Sequence, residues 1–239
     1  MADHLDAVLD HVAIAVADWR IAERRWRDTL GAGRSSAGSD GVFSARQLRF
    51  SNGAKLELLS PAEAAGPDNF VRRFLDRFGT TVHHVTLKVP DLAQAIETLR
   101  AAGLDPVDVN LDNDYWKEAF LRPSQVGGLV VQVAQTPYSD DDWAAATGFA
   151  REPAREGAAA LLGPTVRNPD LPAAAALWSA LGADVTETES GLRCSWPDSP
   201  LDVVVEQGVP AGPVALRMTG SGTIDAEEGV GPAVVDVSR

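Results

Sequence analysis

The chain has 239 residues, 45% of them hydrophobic and 23% charged, enough for one large domain or two modest ones with a true core. Its formal net charge of −13 excludes nucleic acid and an anionic membrane as natural partners, because such a surface repels phosphate. A single cysteine, Cys194, excludes an intrachain disulfide, and with neither a signal-peptide pattern nor a membrane-length apolar run a cytoplasmic protein is expected.

Residues 9–16 alternate, with Val12, Ile14 and Val16 on one side and His11, Ala13 and Ala15 on the other, which predicts a half-buried strand. Asp18 is placed to cap a helix marked by Ile21, Ala22, Trp26 and Leu30 and closed by Gly31. Strands are expected over 41–50 and 55–59, with a short extra one around 32–37. Ser51-Asn52-Gly53 forms the turn between the two longer strands, since Asn and Gly tolerate positive φ. Phe70, Phe74 and Phe78 recur every four residues in a short amphipathic helix over 68–79.

The same plan then recurs. Residues 82–89 form a strand, Asp91 caps a helix carrying Leu92, Ile96 and Leu99, and strands follow over 115–121 and 129–134. Residues 138–143 begin an acidic connector, with a helix over 144–150. A third copy runs through Leu161–Val166, a helix after Asp170, and strands over 191–196 and 201–206. A fourth fragment has strands over 213–219 and 233–237 and no helix. The domain plan expected is residues 1–137, a connector over 138–157, and a degenerate module pair over 158–239.

His11 precedes Asp18 by seven residues, and His84 precedes Asp91 by seven. Duplicated units thus present an imidazole at one place, 73 residues apart, a spacing that suits a duplicated small module. The last strand of each unit carries an oxygen donor opposite its apolar side, Glu57 in the first and Gln132 in the second. Two imidazoles, a carboxylate and an amide oxygen could bind a divalent transition metal. In the third copy Gly163 stands where the histidine would, so Asp202 and Glu206 gain no partner imidazole and no second metal is expected. His83 and His4 have no repeat partner and are read as incidental.

Residues 9–135 resemble the vicinal oxygen chelate superfamily of glyoxalases, bleomycin-resistance proteins and dioxygenases, with methylmalonyl-CoA epimerase-like sequences nearest in look. The pieces that carry the likeness are Leu9-Asp10-His11-Val12, Lys55-Leu56-Glu57-Leu58-Leu59-Ser60-Pro61, Val82-His83-His84-Val85, Phe120-Leu121-Arg122-Pro123 and Gly127-Gly128-Leu129-Val130-Val131-Gln132. The resemblance implies an α+β fold in which paired βαβββ modules form a curved mixed sheet around a cleft. It implies one divalent ion, of Zn, Ni, Co, Mn or Fe, held by His11, Glu57, His84 and Gln132.

Two departures stand out. Such enzymes carry Glu at the position of Gln132, and Gln cannot accept a catalytic proton at neutral pH. The epimerases also carry an acid on the strand before the Asn-Gly turn, whereas residues 42–50 hold none. Glu57 and Glu118 remain as candidate catalytic acids, with Glu118 otherwise a solvated edge charge. Arg46, Trp116 and Phe43 are candidates to line a substrate site, with surface charge or core packing as the plain alternative. The expected function is a glyoxalase- or epimerase-like lyase or isomerase acting on a small oxygenated substrate through a metal-stabilised enolate. A metal-free binder of the bleomycin-resistance type and an extradiol-type dioxygenase remain open, as does a non-catalytic scaffold. A homodimer is the expected assembly.

Overall fold

In the computed structural model, residues 4–220, 224 and 234–236 are described. Three modules share one plan. The first is β1 (Val8–Ala15), α1 (Trp19–Leu30), β2 (Gly33–Ser39), β3 (Phe43–Arg49) and β4 (Lys55–Pro61). After α2 (Phe70–Phe78), the second is β5 (Val82–Lys88), α3 (Leu92–Ala101), β6 (Val107–Asn110), β7 (Lys117–Leu121) and β8 (Val130–Gln135). After α4 (Asp140–Thr147), the third is β9 (Leu161–Asn168), α5 (Leu171–Ala180), β10 (Asp184–Thr188), β11 (Gly191–Ser195) and β12 (Asp202–Gln207). β13 (Gly212–Met218) and β14 (Val234–Asp236) follow without a helix between them among the described residues.

One sheet runs β2-β3-β4-β1-β5-β8-β7-β6, and the other β10-β11-β12-β9-β13-β14. Each module lays its strands in the same order, with the first strand beside the last and parallel to it in the second and third modules. This is the paired-module α+β architecture, repeated in incomplete form at the C-terminal end. Strands β6 and β10 are only four and five residues long and were not legible as strands; the extra strand β2 is seven residues long. Helix α4 begins at Asp140 rather than Ala144, because Ser139 and Asp142 form a capping box. Ala233 and Val237, the ends of the last expected strand, lie outside the described residues. No helix among the described residues is long and apolar enough to cross a membrane.

The module helices start where the sequence caps them: the Asp18 side chain accepts from Arg20 N, Asp91 from Gln94 N and Asp170 from Ala173 N. Trp26 packs edge-on to Phe50 and Trp178 edge-on to Trp196; all four are almost wholly buried.

The chain clusters into two compact units that do not follow chain order. One comprises residues 1–11, 84–138 and 163–213, and the other 12–83, 139–162 and 214–239. In the second of these, the stretch expected as a connector is clamped to the first module. Glu152 accepts from Arg27 and Arg34, Arg34 also reaches buried Glu23 at 2.5 Å, and Arg34 bridges to Glu152 along the outer edge of β2. A Cβ on Gly33 would lie 2.2 Å from the Glu152 carbonyl oxygen, so only glycine permits this close approach. Asp140 of α4 pairs with both Arg49 and Lys55. At the far end of the sheet, β6 shifts register against β7 between Val107 and Asn110, and Asp108 takes a φ of 50°.

Helix α2 presses Val71, Phe70 and Phe74 onto Ala15, Leu59 and Phe43. His83 meets this cluster, with its ring 4.6 Å from Phe74 and 5.9 Å from Phe70. Burial there pushes its pKa down from 6.5 to about 4. Between those values the unfolded chain holds a proton that the folded ring does not. Stability is therefore expected to rise with pH from about 4 to about 6.5, by up to about 3 kcal/mol, and to level off above. Urea midpoints across this range test it: His83→Phe should flatten that rise.

The third module shows why it carries no imidazole. Gly163 has a φ of 125°, and a Cβ there would sit 2.0 Å from the Asp202 carbonyl oxygen. Gly163→His is expected to cost at least about 1–3 kcal/mol and to add no metal site, as read by denaturation and metal content. Buried Asp202 accepts instead from Arg193 Nε at 2.6 Å, and beside it the Cys194 thiol is pushed up to about 12, chiefly by burial.

Candidate metal centre

Alternation along β1 and β5 puts His11 and His84 on the sheet face turned away from the module helices. There they are 1% and 6% exposed, with rings edge-to-face at 5.9 Å. His11, Glu57 and His84 each offer one ligand atom, and these atoms all lie within 4.8 Å of one another. Around a cation held at about 2.1 Å, ligand atoms stand roughly 3–4 Å apart, so the three need to close up only slightly. Two imidazoles and a carboxylate suit a divalent ion of the Zn, Ni, Co, Mn or Fe kind.

Glu57 is oriented by its register partner on β3. Gln47 faces it directly and donates from Nε2 at 3.2 Å, and Ser36 holds Gln47 in turn. His11 is held at both ring nitrogens: Nδ1 is 2.7 Å from Asp10 Oδ2, and Nε2 is 3.0 Å from Thr86 Oγ1. Thr86 is fully buried and donates to Gln132 Oε1 at 2.6 Å. Gln132 Nε2 donates to Glu118 Oε2 at 2.7 Å, and the Trp116 indole N–H reaches the same oxygen at 3.0 Å. An ionised carboxylate only accepts, so this chain of contacts fixes which end of the amide faces Glu118.

Of the residues expected from sequence, His11, Glu57 and His84 converge. Gln132 is joined to His11 through one hydroxyl, with its amide oxygen already engaged by Thr86. Glu118 is not a solvated edge charge: β7 and β8 pair Phe120 with Gln132 and Glu118 with Ala134, which makes Glu118 and Gln132 diagonal neighbours on one face. An acid thus lies one strand over from Gln132, on the same face. Trp116 is beside the site, as a hydrogen-bond donor. Arg46 and Phe43 are placed elsewhere. Arg46 lies over the Trp19 ring at 3.9 Å and donates to the carbonyls of Gly38 and Ala45, because alternation on β3 gives Gln47, not Arg46, the face of Glu57. Phe43 packs beneath α2, edge-on to Phe70. Asp10, Gln47, Thr86 and Lys88 were missed. Period two from His84 along β5 already puts Thr86 and Lys88 on its face.

Comparison with known proteins gives the family and the fold. Residues 10–120 match the profile of the Glyoxalase/Bleomycin resistance protein/Dioxygenase superfamily. The chain is 30% identical over 133 residues to an ethylmalonyl-CoA/methylmalonyl-CoA epimerase of Cereibacter sphaeroides, spanning 53% of this chain and 96% of that protein. It is 29% identical over 136 residues to the mitochondrial methylmalonyl-CoA epimerase of Mus musculus, spanning 53% of this chain and 72% of that one. The solved structure of methylmalonyl-CoA epimerase from Mycobacterium tuberculosis superposes with a TM-score of 0.51 at 24% identity, covering 58% of this chain and 93% of that one, a likeness of fold.

Proposed function

Because the chain belongs to the glyoxalase/bleomycin resistance/dioxygenase superfamily, we propose that it is a metal-dependent isomerase or lyase acting on a small substrate with two adjacent oxygens and an acidic C–H bond. The observation that carries this reading is the convergence of His11, Glu57 and His84. These three would hold the cation, which supplies positive charge for the anion formed when a proton leaves carbon. With three protein ligands, coordination positions remain for the substrate's oxygens.

Glu118 takes the proton from carbon and gives it back. Its Oε2 is gripped by Trp116 and Gln132, so the carboxylate is held in one orientation without rearrangement during the reaction. Gln132 serves this role as a donor, one that a second carboxylate could not fill. Two carboxylates at 2.7 Å would repel until one took up a proton. The relatives' names point to branched malonyl thioesters of coenzyme A as the first substrates to try. Deuterium uptake at the acidic carbon of methylmalonyl-CoA and ethylmalonyl-CoA, followed by NMR with and without added Co²⁺, Zn²⁺ or Mn²⁺, tests the reading. Metal-dependent exchange supports it; protein that binds none of these ions sinks it.

A further inference from the structure

Outside the ligand set, one contact bears on how the metal is held. Asp10 precedes His11 on β1, and its two oxygens face two different partners. Oδ2 is 2.7 Å from His11 Nδ1, and Oδ1 is 3.0 Å from Lys88 Nζ. Lys88 lies two residues beyond Thr86 on β5, with its ammonium 5.7 Å from the centroid of the Trp116 ring. The Asp10 side chain is 12% exposed and that of Lys88 26%, so the pair is partly shielded from water.

We propose that Asp10 is a positioning residue for the metal centre, whose pull on His11 is set by Lys88. The inference rests on the metal-site reading above. An ionised carboxylate accepts only, so Nδ1 carries the hydrogen, and a cation would take the Nε2 lone pair by displacing the contact of Nε2 with Thr86 Oγ1, whose one hydrogen goes to Gln132. The negative charge behind the ring makes the imidazole a better donor to a metal. Lys88 draws part of that charge to itself and adds a positive charge near the cation. The two residues therefore act in opposite directions on metal affinity, although both belong to one ion pair. A purely structural pair would behave otherwise, since losing either member would loosen the site and weaken binding alike.

Chelator competition with Co²⁺ on the full chain separates these cases, with the visible spectrum of bound Co²⁺ as a second readout. Asp10→Asn is expected to bind Co²⁺ ten- to a hundredfold more weakly and to shift the visible band. Lys88→Met is expected to bind it as tightly as the parent or more so. Unchanged affinity in Asp10→Asn overturns the proposal, and so does weakened affinity in Lys88→Met. Circular dichroism of the metal-free variants establishes that each is folded; should Asp10→Asn fail to fold, Lys88→Met alone still decides the sign. Failure of the parent protein to bind Co²⁺ would instead sink the metal centre itself.

Discussion

Replacing His84 with alanine is expected to abolish stoichiometric binding of a divalent cation, and His11→Ala to do the same. Purified parent protein should retain about one equivalent after gel filtration, and each variant almost none. Both imidazoles are nearly shut off from solvent, and no other histidine joins the described cluster, so nothing nearby can stand in for either. The loss should also appear in stability. A ligand present at a hundred times its Kd stabilises the folded state by about 2.7 kcal/mol, which for a chain of this size raises Tm by roughly 5–10 °C. That metal-dependent rise should vanish in either variant. The double variant should bind no worse than the single ones, because two ligands of one ion act as a unit. A variant that keeps its metal-dependent shift would mean that the ion sits elsewhere.

Glu118→Gln is expected to slow proton exchange at substrate carbon by about 10²–10⁴-fold while leaving metal affinity close to that of the parent. The substitution keeps the size of the side chain and removes the group that accepts a proton. Gln132→Ala should be milder, since the Trp116 N–H still holds Glu118 when the amide is gone. Both are read by deuterium uptake under single-turnover conditions, with metal content measured in parallel. Equal activity in Glu118→Gln and the parent would move the base to Glu57 or outside the protein.

The repeat was legible because three features recur together: a period-two strand, an Asp cap seven residues past the strand's key position, and a glycine at or just past the helix end. These local signals report backbone geometry, and the structure follows them in all three modules. Two histidines and Glu57 were legible for the same reason, since alternation alone assigns them to one face. Glu118 was not, because whether an acid on β7 faces water or a neighbouring side chain depends on the register of β7 against β8. That register is set by a turn the sequence leaves open. The Gln at 132 read as a loss when taken alone; beside Glu118 it is the side chain that lets a carboxylate sit there. Arg46 was misplaced by one residue of alternation, which on a strand is the whole thickness of the sheet. The strapping of 139–157 to the first module was hidden because it depends on ion pairs 85 to 125 residues apart in sequence.

The margins of the eight-stranded sheet bear on self-association. An uncovered outer strand offers a ladder of backbone groups on which other chains can grow into fibrils. Here Glu152 lies along the β2 side, where Gly33 leaves room for nothing thicker than backbone, and the β6 side is short, kinked at Asp108 and out of step with its neighbour. Neither margin presents a straight template. A second copy adding a strand at either margin of this sheet would meet these obstructions, and a crowded solution of the native protein should resist amyloid-type seeding from them.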